Sequence, residues 1–395
     1  MKCLQITVLP TALLLSPFCH GGDPLDSWTE HRLATNDYGY LNAITYGSDQ
    51  FVVVRTLNSS QFVHWNSSVG ENWKPTISEV SGLVKGRLNA LTYGDGNFVA
   101  VGTLGKILTS PDATHWTAGT IKTSDSAATN FFFSVAYGSG RFVTLEPLAV
   151  RQESAEFVSS DGTNWEKTAG ATVPGYIRSI CYGNGLFVAV GGNLDGDVIA
   201  SSRDGTNWTS QTTATGAGSG WLEAVTYGGG RFVAIGSNGK IVTSLDGNRW
   251  ESLRVDTNTF LQAVCYGNGS FVAVGNRGAV LSSSNGTDWI CHTSGTDASL
   301  AGVAYGNGRF VALANYGSVL VSQPIVRLEP NLLSGPRTTQ LELIGTSGKN
   351  YLVQFSTNLT SWTDLTNLVL TSESGRFVDP TATKFRQGFY RVVIP

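Results

Sequence analysis

Charge is scarce in this chain: Asp, Glu, Lys and Arg make up 14% of its 395 residues, and the formal net charge is -3. Such a balance supplies no basic field, which excludes nucleic acid as a partner. Cysteine is rarer, five in all. Beyond the first 22 residues only Cys181, Cys265 and Cys291 remain, and the first two occupy equivalent positions in units far apart, which excludes a disulfide framework and leaves small buried hydrophobes. The five histidines are scattered without ligand-like spacing, so neither a metal nor a cofactor is expected. Long hydrophobic runs are missing as well. The run Ile6 to Leu15 is too short to span a bilayer permanently. With Lys2 before it and Ser16 to Gly21 after it, residues 1 to 22 read as a secretory signal peptide cleaved near Cys19 to Gly22. A secreted or envelope-surface protein without a further transmembrane segment is the expectation.

Glycine, by contrast, is abundant at 47 residues, and it falls in a repeat. An apolar segment ending in Tyr-Gly, a glycine turn, a Phe-Val segment, a second glycine turn and usually Ser-x-Asp-Gly-x-x-Trp recur seven times. The marker residues are Tyr46, Tyr93, Tyr137, Tyr182, Tyr227, Tyr266 and Tyr305, spaced 39 to 47 apart. A period near forty with several short strands per unit marks a β-propeller. In the copy from Trp221 to Leu253, inner strand A is Leu222 to Tyr227, with Leu222, Ala224 and Thr226 expected on one face. Strand B is Phe232 to Ile235, reached through turn glycines Gly228, Gly229 and Gly230. Strand C is Lys240 to Ser244, and Asp246-Gly247 turns into Trp250 on outer strand D. Six copies have the strand-D Trp, while the seventh stops after Val319 to Ser322. Trp28 lies ahead of the first unit as the other strand-D tryptophans lie ahead of theirs, so an N-terminal strand should complete blade seven. The fold expected is all-β: a seven-bladed propeller over residues 23 to 324, closed by that strand, followed by a small β-sandwich over 325 to 395.

The hairpins Ser159 to Trp165, Ser202 to Trp208 and Ser244 to Trp250 resemble Asp-box repeats of the bacterial neuraminidase-repeat superfamily, one residue shorter between Asp and Trp. Propellers of that kind include sialidases, glucan hydrolases and the photosystem II assembly factor. The likeness implies the fold and leaves function open, because Asp-box hairpins are structural. Some copies are degenerate: Gly70 is aligned with the Asp of the first, Ala113 replaces Gly in the second, and Asn285 replaces Asp in the sixth. Beyond Pro324, Glu329, Pro330 and Gly335-Pro336 read as a linker, followed by short strands. The words Gly348 to Ser356, Ser361-Trp362, Phe377 to Asp379 and Phe389 to Arg391 resemble a C-terminal β module of secreted planctomycete and verrucomicrobial proteins.

Propellers bind ligands at the face where strand D hands over to the next strand A. Six residues before each marker Tyr stand Tyr40, Arg87, Phe131, Tyr176, Trp221, Phe260 and Ser299. Two residues further in stand Asn42, Asn89, Phe133, Arg178, Glu223, Gln262 and Ala301. An aromatic rim above a polar ring suits a glycan or a protein segment; it also suits rings packed between blades over polar groups that only solvate a channel. Tyr40, Asn42, Arg87, Asn89, Phe131, Tyr176, Arg178, Trp221, Glu223, Phe260 and Gln262 are therefore the candidate ligand-binding residues. From the strand-B Phe to the hairpin Ser is 12 positions in blades two, five, six and seven but 16, 17 and 15 in blades one, three and four. The added residues, including His64-Trp65, Arg151, Glu153, Glu156, Asp195 and Asp197, are expected in longer loops on that face.

Catalysis finds little support. A sialidase-like site needs three arginines, a Tyr paired with a Glu and an acidic donor, whereas Arg178 is the one inner-strand arginine beside Glu223, and no second carboxylate shares that ring. Asp195-Gly196-Asp197 reads as a turn rather than a calcium loop. The expectation is an exported, monomeric, non-catalytic binding or scaffold propeller without catalytic or metal-binding residues. A glycoside hydrolase or sialidase-like enzyme at the same face, or an assembly factor for another complex, are the alternatives.

Overall fold

Each Tyr-Gly phrase closes an inner strand, and the strands that follow it fold back one by one into an antiparallel sheet. The computed structural model describes residues 6–8, 13–14, 23–33, 41, 43–58, 61–81, 86–122, 130–148, 153–168, 173–213, 220–255, 259–330, 339–345, 348–358, 360–372, 374–379 and 388–393. Blade five shows the plan: Leu222–Gly228, Arg231–Gly236, Lys240–Ser244 and Arg249–Arg254 pair in sequence order. The sheet order repeats this unit for blades one to six, beginning at Ala43–Gly47, Leu88–Gly94, Val135–Gly138, Tyr176–Gly183, Leu222–Gly228 and Leu261–Gly267. Blade seven is Leu300–Gly306, Arg309–Ala314 and Ser318–Ser322, and its fourth strand is Trp28–Arg32 from the other end of the chain. The seventh repeat lacks a Trp because an earlier segment supplies it. Trp28 Nε1 donates to the Leu25 carbonyl at 2.6 Å, three residues back, as the strand-D tryptophans do in their own hairpins.

The glycine of each Tyr-Gly pair answers to a neighbour rather than to its own backbone. A Cβ on Gly47, Gly94, Gly138, Gly183, Gly228 or Gly267 would lie 2.0 to 2.2 Å from Cγ of Tyr93, Tyr137, Tyr182, Tyr227, Tyr266 or Tyr305, and one on Gly306 would lie 2.1 Å from Tyr46 Cδ2. Seven such contacts return to their starting point, so the ring closes. Gly228, expected to form a turn, is one of these packing glycines, and the turn belongs to Gly229 and Gly230 with φ of 53° and 77°. Between blades the core is aliphatic and aromatic, as where Val188 and Val190 of blade four meet Leu222, Val225, Phe232 and Trp250 of blade five. Leu222 joins Val225 in that core while Ala224 packs with blade six, which reverses the expected facing of Leu222 with Ala224. The cause is a β-bulge between Leu222 and Ala224 that resets the alternation.

The Ser-x-Asp-Gly hairpins are held from within. Asp161 Oδ1 accepts the backbone N–H of Thr163 and of Asn164 at 2.8 Å each, the Ser159 hydroxyl donates to Oδ1, and Trp165 Nε1 donates to the Gly162 carbonyl at 2.9 Å. Desolvation would raise the Asp161 carboxyl, but these donors prevail and hold it near 2. In the first copy, Gly70 keeps the glycine position, with φ 75° and its carbonyl accepting Trp73 Nε1 at 2.7 Å, so Val69 is the residue that replaces the Asp. Ala113 in the second copy keeps the left-handed φ of 59° without being glycine.

Contact clustering separates two units: residues 29–306 with 310–321, and residues 1–28 with 307–309 and 322–395. In the latter, Arg327–Pro330, Thr339–Ile344 and Ser374–Asp379 form one sheet, and Gly388–Val393, Asn350–Ser356 and Thr363–Val369 another. Leu328, Leu341 and Leu343 of the first pack with Tyr351, Val353, Tyr390 and Val392 of the second, giving the expected sandwich. Glu329 and Pro330, expected in a linker, instead end an edge strand, where proline is tolerated. Ile6–Val8 pairs antiparallel with Gly388–Val393. Among the described residues no helix is long and apolar enough to cross a membrane.

Candidate functional site

Four of the polar-ring residues are bulge residues. The pairing skips Asn89, Arg178, Glu223 and Gln262 at the same place in blades two, four, five and six. A bulge leaves one residue out of the ladder and re-aims its side chain. It also brings the preceding carbonyl onto strand B, where a Cβ on Gly102, Gly191, Gly236 or Gly275 would lie 1.7 to 2.2 Å from the carbonyl oxygen of Arg87, Tyr176, Trp221 or Phe260. Glycine is therefore obligatory opposite each rim residue. The carbonyls of Arg87, Trp221 and Phe260 accept N–H groups of Thr103, Ser237 and Asn276 at 2.8 to 3.1 Å, which fixes rim and B to C turn together on one face.

Most of the polar ring spends its hydrogen bonds on the next blade. Asn89 Nδ2 donates to the Phe132 carbonyl at 2.9 Å, and Gln262 Nε2 donates to Ser299 Oγ at 2.7 Å and Asn276 Oδ1 at 2.5 Å. These are latches between blades. Arg87 is exposed and Phe260 half-buried at the rim, Phe131 is 39% exposed, and Tyr40 and Asn42 lie outside the described residues.

Arg178 and Glu223 differ. The Arg178 guanidinium carbon lies 5.2 Å from the ring centre of Phe133 in blade three and 5.5 Å from that of Trp221. Its Nε is buried without a hydrogen-bond partner, and Glu223 Oε2 stands 3.8 Å away, at ion-pair but not hydrogen-bond distance. Burial raises the Glu223 carboxyl, and the Arg178 charge only partly offsets this. The Trp221 ring is stacked on Tyr176 at 5.7 Å and 14°, its Nε1 donates to the Asn193 carbonyl at 3.2 Å, and it lies where a Cβ on Gly192 would be. Tyr176 and Trp221 thus form a stack with each other, which props the cation, rather than two free ring faces. The cluster of Phe133, Tyr176, Arg178, Trp221 and Glu223 spans blades three to five. Arg178 and Glu223, which a sialidase-like site would use separately, neutralise each other, and the cluster is equipped for orienting a ligand.

The insertions lie elsewhere than expected. They lengthen strands B and C rather than loops, to Leu186–Asn193 and Gly196–Ser202 in blade four. His64 and Trp65 sit in strand C of blade one, fully buried or nearly so. The His64 ring nitrogens lie 3.5 Å from Asn66 Oδ1 and 3.2 Å from Ser78 Oγ, and burial lowers the imidazole pKa. Glu156, in strand C of blade three, is 1% exposed and pushed up to about 7 by burial, with Thr168 and Lys167 opposing. Asp197 forms an ion pair with Lys240 of blade five at 2.5 Å, and burial still raises it. Asp195 stands at the turn, its N–H donating to Asn193 Oδ1. Arg151 lies outside the described residues. Among the described residues no group of His, Cys, Asp and Glu is arranged to hold a metal ion. Cys181 and Cys265 are free and half-buried, with thiols raised by burial, whereas Cys291 is exposed rather than buried.

Solved structures with this architecture are numerous. YCF48 bound to a D1 peptide is 16% identical, with a TM-score of 0.58, covering 76% of this chain and 96% of that one. Selenomethionine-substituted virginiamycin B lyase from Staphylococcus aureus is 14% identical, with a TM-score of 0.60, covering 76% and 99%. YCF48 from Cyanidioschyzon merolae is 15% identical at a TM-score of 0.55, covering 74% and 98%. The likeness is one of fold. The model of the DUF6242 beta propeller domain matches residues 159–303, from the hairpin of blade three into the inner strand of blade seven. No curated protein matches.

Proposed function

We propose that this propeller is a binding or scaffold module that holds an extended protein segment at the blade three to five side of its rim. One observation carries the reading: a guanidinium clamped between two aromatic rings, with a buried, unpartnered N–H and a carboxylate at 3.8 Å. A fixed Arg of this kind offers its fork to carbonyls or carboxylates. Because the Trp221 ring is engaged by Tyr176 and Arg178, a segment with its own hydrogen-bonding backbone suits the site better than a sugar stacking on a free ring. YCF48 in complex with a D1 peptide is a precedent on a similar fold. The hairpins are Asp-box-like staples in this reading, remote from the site. Selection of random dodecapeptides on the purified protein, with a glycan array alongside, tests it. Peptides should be recovered, and Arg178→Ala should weaken them at least tenfold; glycan binding alone, or peptides indifferent to that change, would overturn it.

Export by residues 1–22, with the mature chain a monomer at the cell surface or beyond it, belongs to the same proposal. N-terminal sequencing of the protein recovered from its host, and light scattering on it, are the checks. Retention of residues 1–22 in that protein would remove the export reading.

A further inference from the structure

The same turn is built in two styles on the two faces of the ring. At every A to B hairpin, on the face away from the rim, the chain turns through a residue pair with positive φ in the manner of a type I′ turn, whose strong preference is Asn-Gly or a close substitute. The first residue of each pair is Ser48, Asp95, Ser139, Asn184, Gly229, Asn268 or Asn307, small or turn-forming without exception. The short B to C turns of blades two, five, six and seven, on the rim face, use the same left-handed pair. The second residue is always glycine: Gly105, Gly239, Gly278 and Gly317, with φ of 65° to 79°. The first is Asn238 in blade five but Leu104, Arg277 and Tyr316 in blades two, six and seven, with φ of 57°, 55° and 70°.

A left-handed Leu, Arg or Tyr is strained where Asn is not. Nothing in the backbone demands those side chains, since Asn238 satisfies the same turn between equivalent strands. Nor are they pulled into a core: Tyr316 is 66% exposed, Arg277 is exposed and Leu104 half-buried. Their places are nonetheless fixed, because the following glycines Gly105 and Gly278 donate N–H bonds at 2.8 Å to the carbonyls of Asn130 and Ala298, in the connectors that lead to the next blade's strand A. Strain retained at exposed positions on one face alone indicates that the side chains serve that face.

Resting on the reading that the rim holds a protein segment, we infer that Leu104, Arg277 and Tyr316 are specificity-determining contacts for that segment, kept at some expense of stability. The partner is an extended chain with apolar side chains for Leu104 and Tyr316 and an acceptor for Arg277.

The test uses a dodecapeptide selected on the parent protein and the single variants Leu104→Asn, Arg277→Asn and Tyr316→Asn. Melting temperature should stay level or rise by about 1 to 3 °C in each variant as strain is released, while peptide affinity falls at least fivefold. A fall in melting temperature would show that packing holds these residues and would overturn the inference. If Arg178→Ala abolishes peptide binding while all three Asn variants bind as the parent does, the inference fails and the functional reading stands. Failure to recover any peptide, or a peptide indifferent to Arg178→Ala, removes both.

Discussion

At the scale of single residues, backbone conformation and burial make sharp demands that a few positions meet badly. Ala113 holds a φ of 59° where the other hairpins have glycine, and the buried Trp116 Nε1 lacks the partner its counterparts find. Ala113→Gly should stabilise the protein by about 1 kcal/mol, read as a higher denaturation midpoint; a lower one would show that the methyl group's packing outweighs the strain. Gly183 is the opposite case, since a Cβ there would lie 2.1 Å from Tyr227 Cγ. Gly183→Ala should cost about 3 kcal/mol by prying blades four and five apart, measurable by chemical denaturation. Glu156 adds a pH dependence. Burial raises its folded-state pKa to about 7 from an ordinary 4.5, so the folded protein binds more protons than the unfolded chain between those values. Its contribution to stability is therefore full below about pH 4.5 and declines as pH rises to about 7. Glu156→Gln should flatten that decline and exceed the parent in melting temperature at pH 8; the reverse order there would mean the carboxylate is well solvated.

At the scale of elements, the strand that ends the seventh blade is the one most exposed to test. Trp28–Arg32 is borrowed from the start of the chain, and Leu33, Leu41 and Trp65 pack with Val311, Leu313, Val319 and Val321 in the core between blades seven and one. Deleting residues 23 to 33 removes that strand and Leu33 and leaves Ser318–Ser322 as an open edge. The melting temperature should drop by several degrees and aggregation on heating should increase; an unaltered melting curve would show that closure rests on the inner strands alone. The bulges are elements too, and they explain why the rim residues recur. A side chain outside the ladder is free to vary, as Asn89, Arg178, Glu223 and Gln262 do, while the glycine opposite cannot.

For the whole molecule, ring closure and the separate core of the sandwich lead us to expect that a chain ending near Pro324 folds by itself. Soluble expression with a cooperative melt and an all-β circular dichroism spectrum would bear this out, and loss of soluble protein on truncation would count against it. The sequence alone determined the all-β class, the repeat and the strand lent from the N-terminus, because turn chemistry and a forty-residue period are local signals that survive in one dimension. It also placed the aromatic and polar positions of the rim. The purpose of the Tyr-Gly glycines was not legible, since a steric contact with the next blade leaves no local mark. Nor were the bulges, which break alternation without altering the residue pattern. For the same reason the alternation argument misplaced Leu222, and loop arithmetic put the buried His64, Trp65 and Glu156 at a surface. Only the tertiary structure decided which rim residues keep unspent capacity: Asn89 and Gln262 are consumed as latches, whereas Arg178 is held between Phe133 and Trp221 from two other blades, an arrangement that exists only once the ring has brought blades three, four and five together.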